Sequence, residues 1–218
     1  MVGPHLVYVA DPMCSWCWGF APVIEAIRRR FADALPIRVM MGGLRPQTTK
    51  PMDGAAKQST RTHWERVHEA SGQPFDLAFF DREGFVYDTD PAARAVVVVR
   101  RSGMERALDY LHLVQAAFYA GNQDVTDEAV LADLAHRVGV DRDGFVNAFR
   151  SEDAKQETWR DYGISQQAGI TGFPTLIAGD GGSTPYIAVT RGYQPADRIL
   201  PLLEQWLASR TPDGQRTV

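Results

Sequence analysis

The sequence predicts an α/β domain: one sheet built from both ends of the chain, interrupted by a long run of helices. Three observations carry this. A strand–helix–strand pattern fills His5 to Met41, strand signals return only at Thr175, and the stretch between reads as helix. At about 150 residues per domain, 218 residues make one large domain or two small ones, enough to bury a core without metal or disulfide staples.

The elements follow in order. His5 to Ala10 (HLVYVA) is a short apolar run rich in β-formers, a buried strand ending at Asp11-Pro12. Phe20, Ile24, Ile27 and Phe31 then recur at helical spacing, with Arg28 to Arg30 at the end where cations suit the dipole. Pro22 falls inside this helix and is expected to kink it. Pro36 to Met41 is a second strand, stopped by Gly42-Gly43. From Lys50 to Ala168 the pattern is helical. Asp90-Pro91 reads as an N-cap with proline at the first position, and Gly103 as a C-terminal stop. Val96 to Val99 could pass for a strand, but its flanks favour a buried helix. Met104 to Tyr119 is a long periodic helix, Thr126 is expected to cap another, and Asp143–Phe149 and Ala154–Gln167 complete the set. Thr175–Ala178 and Tyr186–Thr190 flank the turn-rich GDGGSTP and read as an antiparallel hairpin. Gln194 to Leu207 is a closing amphipathic helix, and TPDGQRTV is expected to fray.

Composition narrows the function classes. Net charge is -4, from 23 basic and 27 acidic side chains, with no basic stripe, so nucleic-acid partners are not expected. No run approaches the ~18 apolar residues of a membrane span, so no membrane partner is expected either. The start MVGPHLVYVA lacks signal-peptide features, which makes a reducing cytoplasm the expected compartment. The two cysteines, Cys14 and Cys17, exclude a disulfide-rich scaffold. A structural zinc site takes four N/S ligands, and none of the five histidines falls at a ligand spacing with this pair, so no metal is expected.

A lone C-x-x-C where a strand gives way to a helix reads as a thiol–disulfide motif. Exchange proceeds by thiolate attack on sulfur, and the unpaired N–H groups at a helix start stabilise an anion. Cys14 is therefore the expected nucleophile, and Cys17, one turn inside the helix, the less exposed resolving thiol. The alternative is a pair of small core residues. Ser15 and Trp16, between the cysteines, are the first candidate substrate contacts, Trp16 offering an aromatic face to the apolar part of a polypeptide or glutathione. Trp18 could serve the same end or pack beneath the helix.

The second informative segment is GITGFPTLIAG, Gly169 to Gly179. Phe173-Pro174 opens a strand, where proline is tolerated at the first residue. A cis bond there would present the Phe173 backbone to a substrate as an added strand; a trans proline would merely start the strand. The segment alone leaves both open.

Together, the strand, CSWC, a helix with Pro22 five residues after the second cysteine, a helical insertion, TGFPT, a hairpin and a final helix resemble the DsbA-like branch of the thioredoxin superfamily, over nearly the whole chain. Cytosolic members of the FrnE type are the most similar subgroup. The resemblance implies an α/β thioredoxin fold, residues 1–48 and 169–218, with an all-helical insertion at 49–168. It implies Cys14 as nucleophile, Cys17 as resolving cysteine and a cis Pro174 facing them; Phe173, Ser15 and Trp16 are the substrate contacts expected from the residues themselves. The implied activity is that of a protein disulfide oxidoreductase or isomerase. It would need no cofactor beyond its own redox-active disulfide, with thiol- or disulfide-containing polypeptides or glutathione as partners, as a monomer or homodimer. One departure stands out. Many members carry an acid six positions before the first cysteine, and here that position is Tyr8, while Asp11 lies nearer and is expected only to cap. Two other functions compete: a glutathione-dependent transferase or isomerase of the kappa or 2-hydroxychromene-2-carboxylate isomerase type, whose members usually have serine at the position of Cys14, and a chaperone-like binding module.

Overall fold

A computed structural model describes residues 3–182 and 185–210. Strand β1 (His5–Ala10) is buried along its whole length, as its unbroken apolar run requires of a central strand. It pairs in parallel with β2 (Ile37–Met41) and antiparallel with β3 (Thr175–Gly179), which pairs antiparallel with β4 (Ile187–Arg191). The sheet order is β2-β1-β3-β4, so the two ends of the chain meet at the β1–β3 ladder. The register sets Val9 opposite Thr175, bringing the residues after β1 beside those before β3.

Helix α1 (Ser15–Phe31) buries Cys17, Phe20, Ile24 and Ile27 on one face and packs against α2 (Gly54–Ser71), α4 (Met104–Tyr119) and α8 (Ala196–Ala208). Pro22 cannot donate to the carbonyl four residues back. That carbonyl, on Trp18, instead accepts Gln73 Nε2 at 3.1 Å, so α1 runs unbroken through the proline with its orphaned acceptor paired from outside.

Six α-helices, from Gly54 to Gln167, fall between β2 and β3. Helix α3 (Asp90–Arg100) buries Val96 to Val99 together, which settles the valine run as helix. Its cap differs from expectation: Thr89 holds the N-cap position, and Asp90, inside the helix, pairs with Arg94 at 3.5 Å. Gly103 also has another role. Helix α3 ends at Arg100, and Gly103, with φ of 125°, occupies the N-cap of α4, a conformation that disfavours any residue with a Cβ. Helix α5 (Glu128–Arg137) is capped by Asp127 rather than Thr126. The Asp127 carboxylate accepts from Ala129 N and Val130 N, while the Thr126 hydroxyl is spent on Asp124 at 2.6 Å. Asp127→Ala is accordingly expected to cost about 1 kcal/mol, read as a lower urea midpoint, and Thr126→Ala less.

Helices α6 (Arg142–Arg150) and α7 (Glu152–Gln167) close the insertion. Asp161 of α7 ties it to the sheet: its carboxylate accepts Met41 N at 3.0 Å and Arg100 Nη1 at 2.6 Å. Within the insertion, Trp64 is buried among Phe75, Phe79, Phe80 and Phe118. The expected fraying of residues 211–218 lies outside the described residues, as does part of the GDGGSTP turn. No helix among the described residues is long and apolar enough to cross a membrane.

Candidate active site

The site is assembled where β1 ends. Asp11 leaves the strand with no exposed surface, and its carboxylate accepts Met13 N at 2.9 Å and Leu44 N at 2.8 Å. One side chain thus clamps the loop carrying the cysteines to the loop after β2. The Asp11 carbonyl also accepts Cys14 N at 3.1 Å, and Tyr87 braces the same loop by donating its hydroxyl to the Met13 carbonyl at 2.8 Å. Burial pushes the Asp11 carboxyl up from 3.8 to about 6, against the backbone N–H groups of Leu44 and Met13, which hold it down. Asp11 therefore does more than the capping expected of it.

Cys14 is the N-cap of α1, in extended conformation (φ -92°, ψ 115°), with its carbonyl accepting Trp18 N at 3.1 Å. Its side chain makes no capping bond and directs Sγ at the Phe173 carbonyl, 3.6 Å away. The Phe173–Pro174 bond is cis, and Pro174 is buried, its carbonyl accepting Gly192 N at 2.7 Å. The Phe173 ring lies over Gly42, where a Cβ would stand 2.0 Å from it, so Gly42 is needed as the floor of this loop as well as the end of β2.

Cys14 keeps 6% of its surface exposed and Cys17 keeps none; both are free thiols. Burial pushes the Cys17 thiol well above its ordinary range, the Cys14 thiol reinforces this, and the Asp11 backbone N–H opposes it. Ser15 and Trp16, both half-buried, open α1, and the Trp16 ring leans on Tyr193 with centroids 5.6 Å apart. Tyr193 is anchored in turn by its hydroxyl to the Ala70 carbonyl at 3.0 Å. Trp18 is buried: its Nε1 donates to the Pro74 carbonyl at 3.0 Å and its ring stacks near Tyr119. It packs beneath the helix rather than facing a substrate.

The structure thus brings Cys14, Phe173 and Pro174 together, with Cys17 beneath. Tyr193 and Tyr87 escaped the sequence reading, as did the place of Gly42 under Phe173, because these roles depend on contacts between distant segments. Gln115 could have been found. It is a lone polar residue on the buried face of α4, at 1% exposure among Val114, Ala117 and Phe118. Among the described residues, no group of three or more His, Cys, Asp or Glu is arranged to hold a metal.

A four-stranded sheet with a cysteine pair at the start of its first helix and a cis-proline opposite defines a thioredoxin-fold protein, here with a large helical insertion. More particularly, residues 5–202 match the DSBA-like thioredoxin domain, and the chain belongs to that family. Among solved structures it is similar to a candidate protein disulfide isomerase from Nitrosomonas europaea. That structure is 40% identical, with a TM-score of 0.88, over 96% of this chain and 100% of the other. It is also similar to the cytosolic disulfide reductase DsbM from Pseudomonas aeruginosa, at 25% identity and a TM-score of 0.78, over 94% and 99%. Among curated proteins it is 23% identical to the ClpXP adapter protein SpxH of Bacillus subtilis, over 79% of this chain and 58% of that protein. The chain thus spans about three fifths of the length of that relative.

Proposed function

We propose that this protein is a thiol–disulfide oxidoreductase that works through its CSWC motif. The observation that carries the reading is the asymmetry of the pair. Cys14 stands at a helix N-terminus with its sulfur facing the Phe173 carbonyl, and Cys17 lies fully buried one turn further in. In the reducing direction the Cys14 thiolate attacks a substrate disulfide and expels one substrate thiol, leaving a mixed disulfide. Cys17 then gives up its proton and attacks Cys14 Sγ; the second substrate thiol departs with that proton, and a Cys14–Cys17 disulfide remains. Two protein thiols are oxidised as one substrate disulfide is reduced, and the reverse sequence oxidises a dithiol substrate.

Substrates are polypeptide or glutathione thiols and disulfides, held by the Phe173 backbone and the Trp16 face beside Ser15 and Pro174. The redox couple is the protein's own, and no metal or organic cofactor is required. The likeness to a cytosolic disulfide reductase supports a cytoplasmic role. Retention of both cysteines speaks against the glutathione-transferase alternative.

Titration against glutathione redox buffers, followed by tryptophan fluorescence, tests the proposal, because Trp18 is rigidly packed next to Cys17. A reversible two-electron transition is expected. A midpoint near about -270 mV would mark a reductase and one near about -120 mV an oxidase. No transition, with both thiols present and reduced in the unfolded protein, would overturn the reading.

A further inference from the structure

Two buried polar groups have no hydrogen-bond partner among the described residues, the Tyr8 hydroxyl, which neighbours Cys17, and Gln115 Nε2, which neighbours Tyr8. Such groups are rare because burying them unpaired is costly. Tyr8 comes from β1 and Gln115 from α4, at 2% and 1% exposure, and both line a cavity of about 470 Å³ between α1 and α4. Its walls also carry Glu25, Arg28, Asp109 and His112.

The resolving step, which rests on the oxidoreductase reading above, demands a thiolate on Cys17. That sulfur has no exposed surface, so bulk water cannot stabilise the charge. The ionisable groups facing it are Cys14, Asp11 and Tyr8. In the mixed disulfide Cys14 has no proton to donate, and the Asp11 carboxylate repels an anion. Besides the Asp11 backbone N–H, what remains is the Tyr8 hydroxyl, with the Gln115 amide behind its oxygen.

We propose that the Tyr8 hydroxyl is the donor that stabilises the Cys17 thiolate in the resolving step, and that Gln115 is the positioning residue that aims it. In the dithiol state neither bond is drawn tight; the string Gln115 Nε2–Tyr8 Oη–Cys17 Sγ closes as charge develops on sulfur. Burial and the neighbouring sulfurs hold the Tyr8 proton far more firmly than in an ordinary phenol, so Tyr8 remains a donor throughout. The Cys17 proton leaves with the departing thiol. The bond from Cys14 to the substrate sulfur breaks as the Cys14–Cys17 bond forms.

Tyr8→Phe removes only the oxygen. The reduced protein is mixed with dithiobis(nitrobenzoate), which releases one thiolate when Cys14 attacks and a second when Cys17 resolves the mixed disulfide. Both phases are followed by absorbance across pH. In Tyr8→Phe the first phase should match wild type. The second should be about tenfold slower at neutral pH, with its inflexion displaced about one unit upward, the effect of losing one hydrogen bond to a charged sulfur. Gln115→Met should slow the second phase in the same direction by a smaller factor. Asp11, Cys14, Glu25, Arg28, Asp109 and His112 are unchanged in both variants, so their titrations are common to all profiles. Tyr8→Phe should unfold at no lower a temperature than wild type, having lost an unpaired buried hydroxyl. A second phase with an unmoved pH profile would overturn the inference, and so would equal slowing of both phases. No reaction in the wild-type protein would instead remove the oxidoreductase reading itself.

Discussion

Cys14→Ser should abolish disulfide exchange, lowering its rate by at least about a thousandfold, while Cys17→Ser should permit the first attack and halt at the mixed disulfide. The asymmetry follows from burial. A substrate sulfur can approach Cys14 at the mouth of the site, whereas Cys17 lies under it with no exposed surface. A serine hydroxyl at position 14 is almost wholly protonated and is a poor nucleophile toward sulfur, so the helix start has no thiolate to stabilise. Incubation with oxidised glutathione followed by mass spectrometry separates the variants: a stable glutathione adduct on Cys17→Ser and none on Cys14→Ser. The opposite pattern would exchange the two roles. Since serine differs from cysteine by one atom at a site with little surface to lose, Cys14→Ser should unfold within about 1 kcal/mol of wild type. A chaperone-like binding module, the competing reading, would keep its partner in that variant.

Much of this architecture was legible because its signals are local. The apolar run of β1, the periodic stripe of α4 and the turn-rich hairpin each declare an element without reference to the rest of the chain. The cysteine spacing places two sulfurs within a turn of each other wherever the helix sits. Cap positions were less legible, because two adjacent residues can both serve. Thr126 and Asp127 are both favoured N-cap types, and the Thr126 hydroxyl is engaged by the Asp124 side chain. Helix α2 buries just Thr60, Trp64 and Val67, one helix face of which only two residues are apolar, so its extent could not be read from periodicity. The floor of the site was the least legible part. Gly42 under Phe173 acquires that meaning only when segments more than a hundred residues apart meet.

Asp11 shows the same point with the larger energetic consequence. Expected only to cap, it instead has a fully buried carboxylate that holds two backbone N–H groups from different loops. Because its folded-state pKa is raised from 3.8 to about 6, the native state binds a proton more tightly than the unfolded chain does. Stability from this group is present below about pH 4 and is lost as pH rises through about 6, to a total of about 3 kcal/mol. Asp11→Asn cannot titrate, so it lacks this slope, but its amide can accept from one of the two N–H groups and must turn an N–H toward the other. The variant should therefore be less stable than wild type by about 1–3 kcal/mol near pH 4, the cost of one unpaired buried donor. That deficit should shrink by about 2 kcal/mol, and can change sign, by about pH 8. Urea unfolding of both proteins across this range measures the difference directly, free of the other carboxylates they share. A difference independent of pH would mean that Asp11 is as easily ionised in the fold as in water. The same substitution removes a negative charge from beside Cys17, which should let that thiol ionise more readily. The second phase of the dithiobis(nitrobenzoate) reaction should then become faster at neutral pH, the reverse of the effect expected for Tyr8→Phe. Two neighbours of one buried sulfur would thus pull its reactivity in opposite directions, Asp11 by charge and Tyr8 by donation.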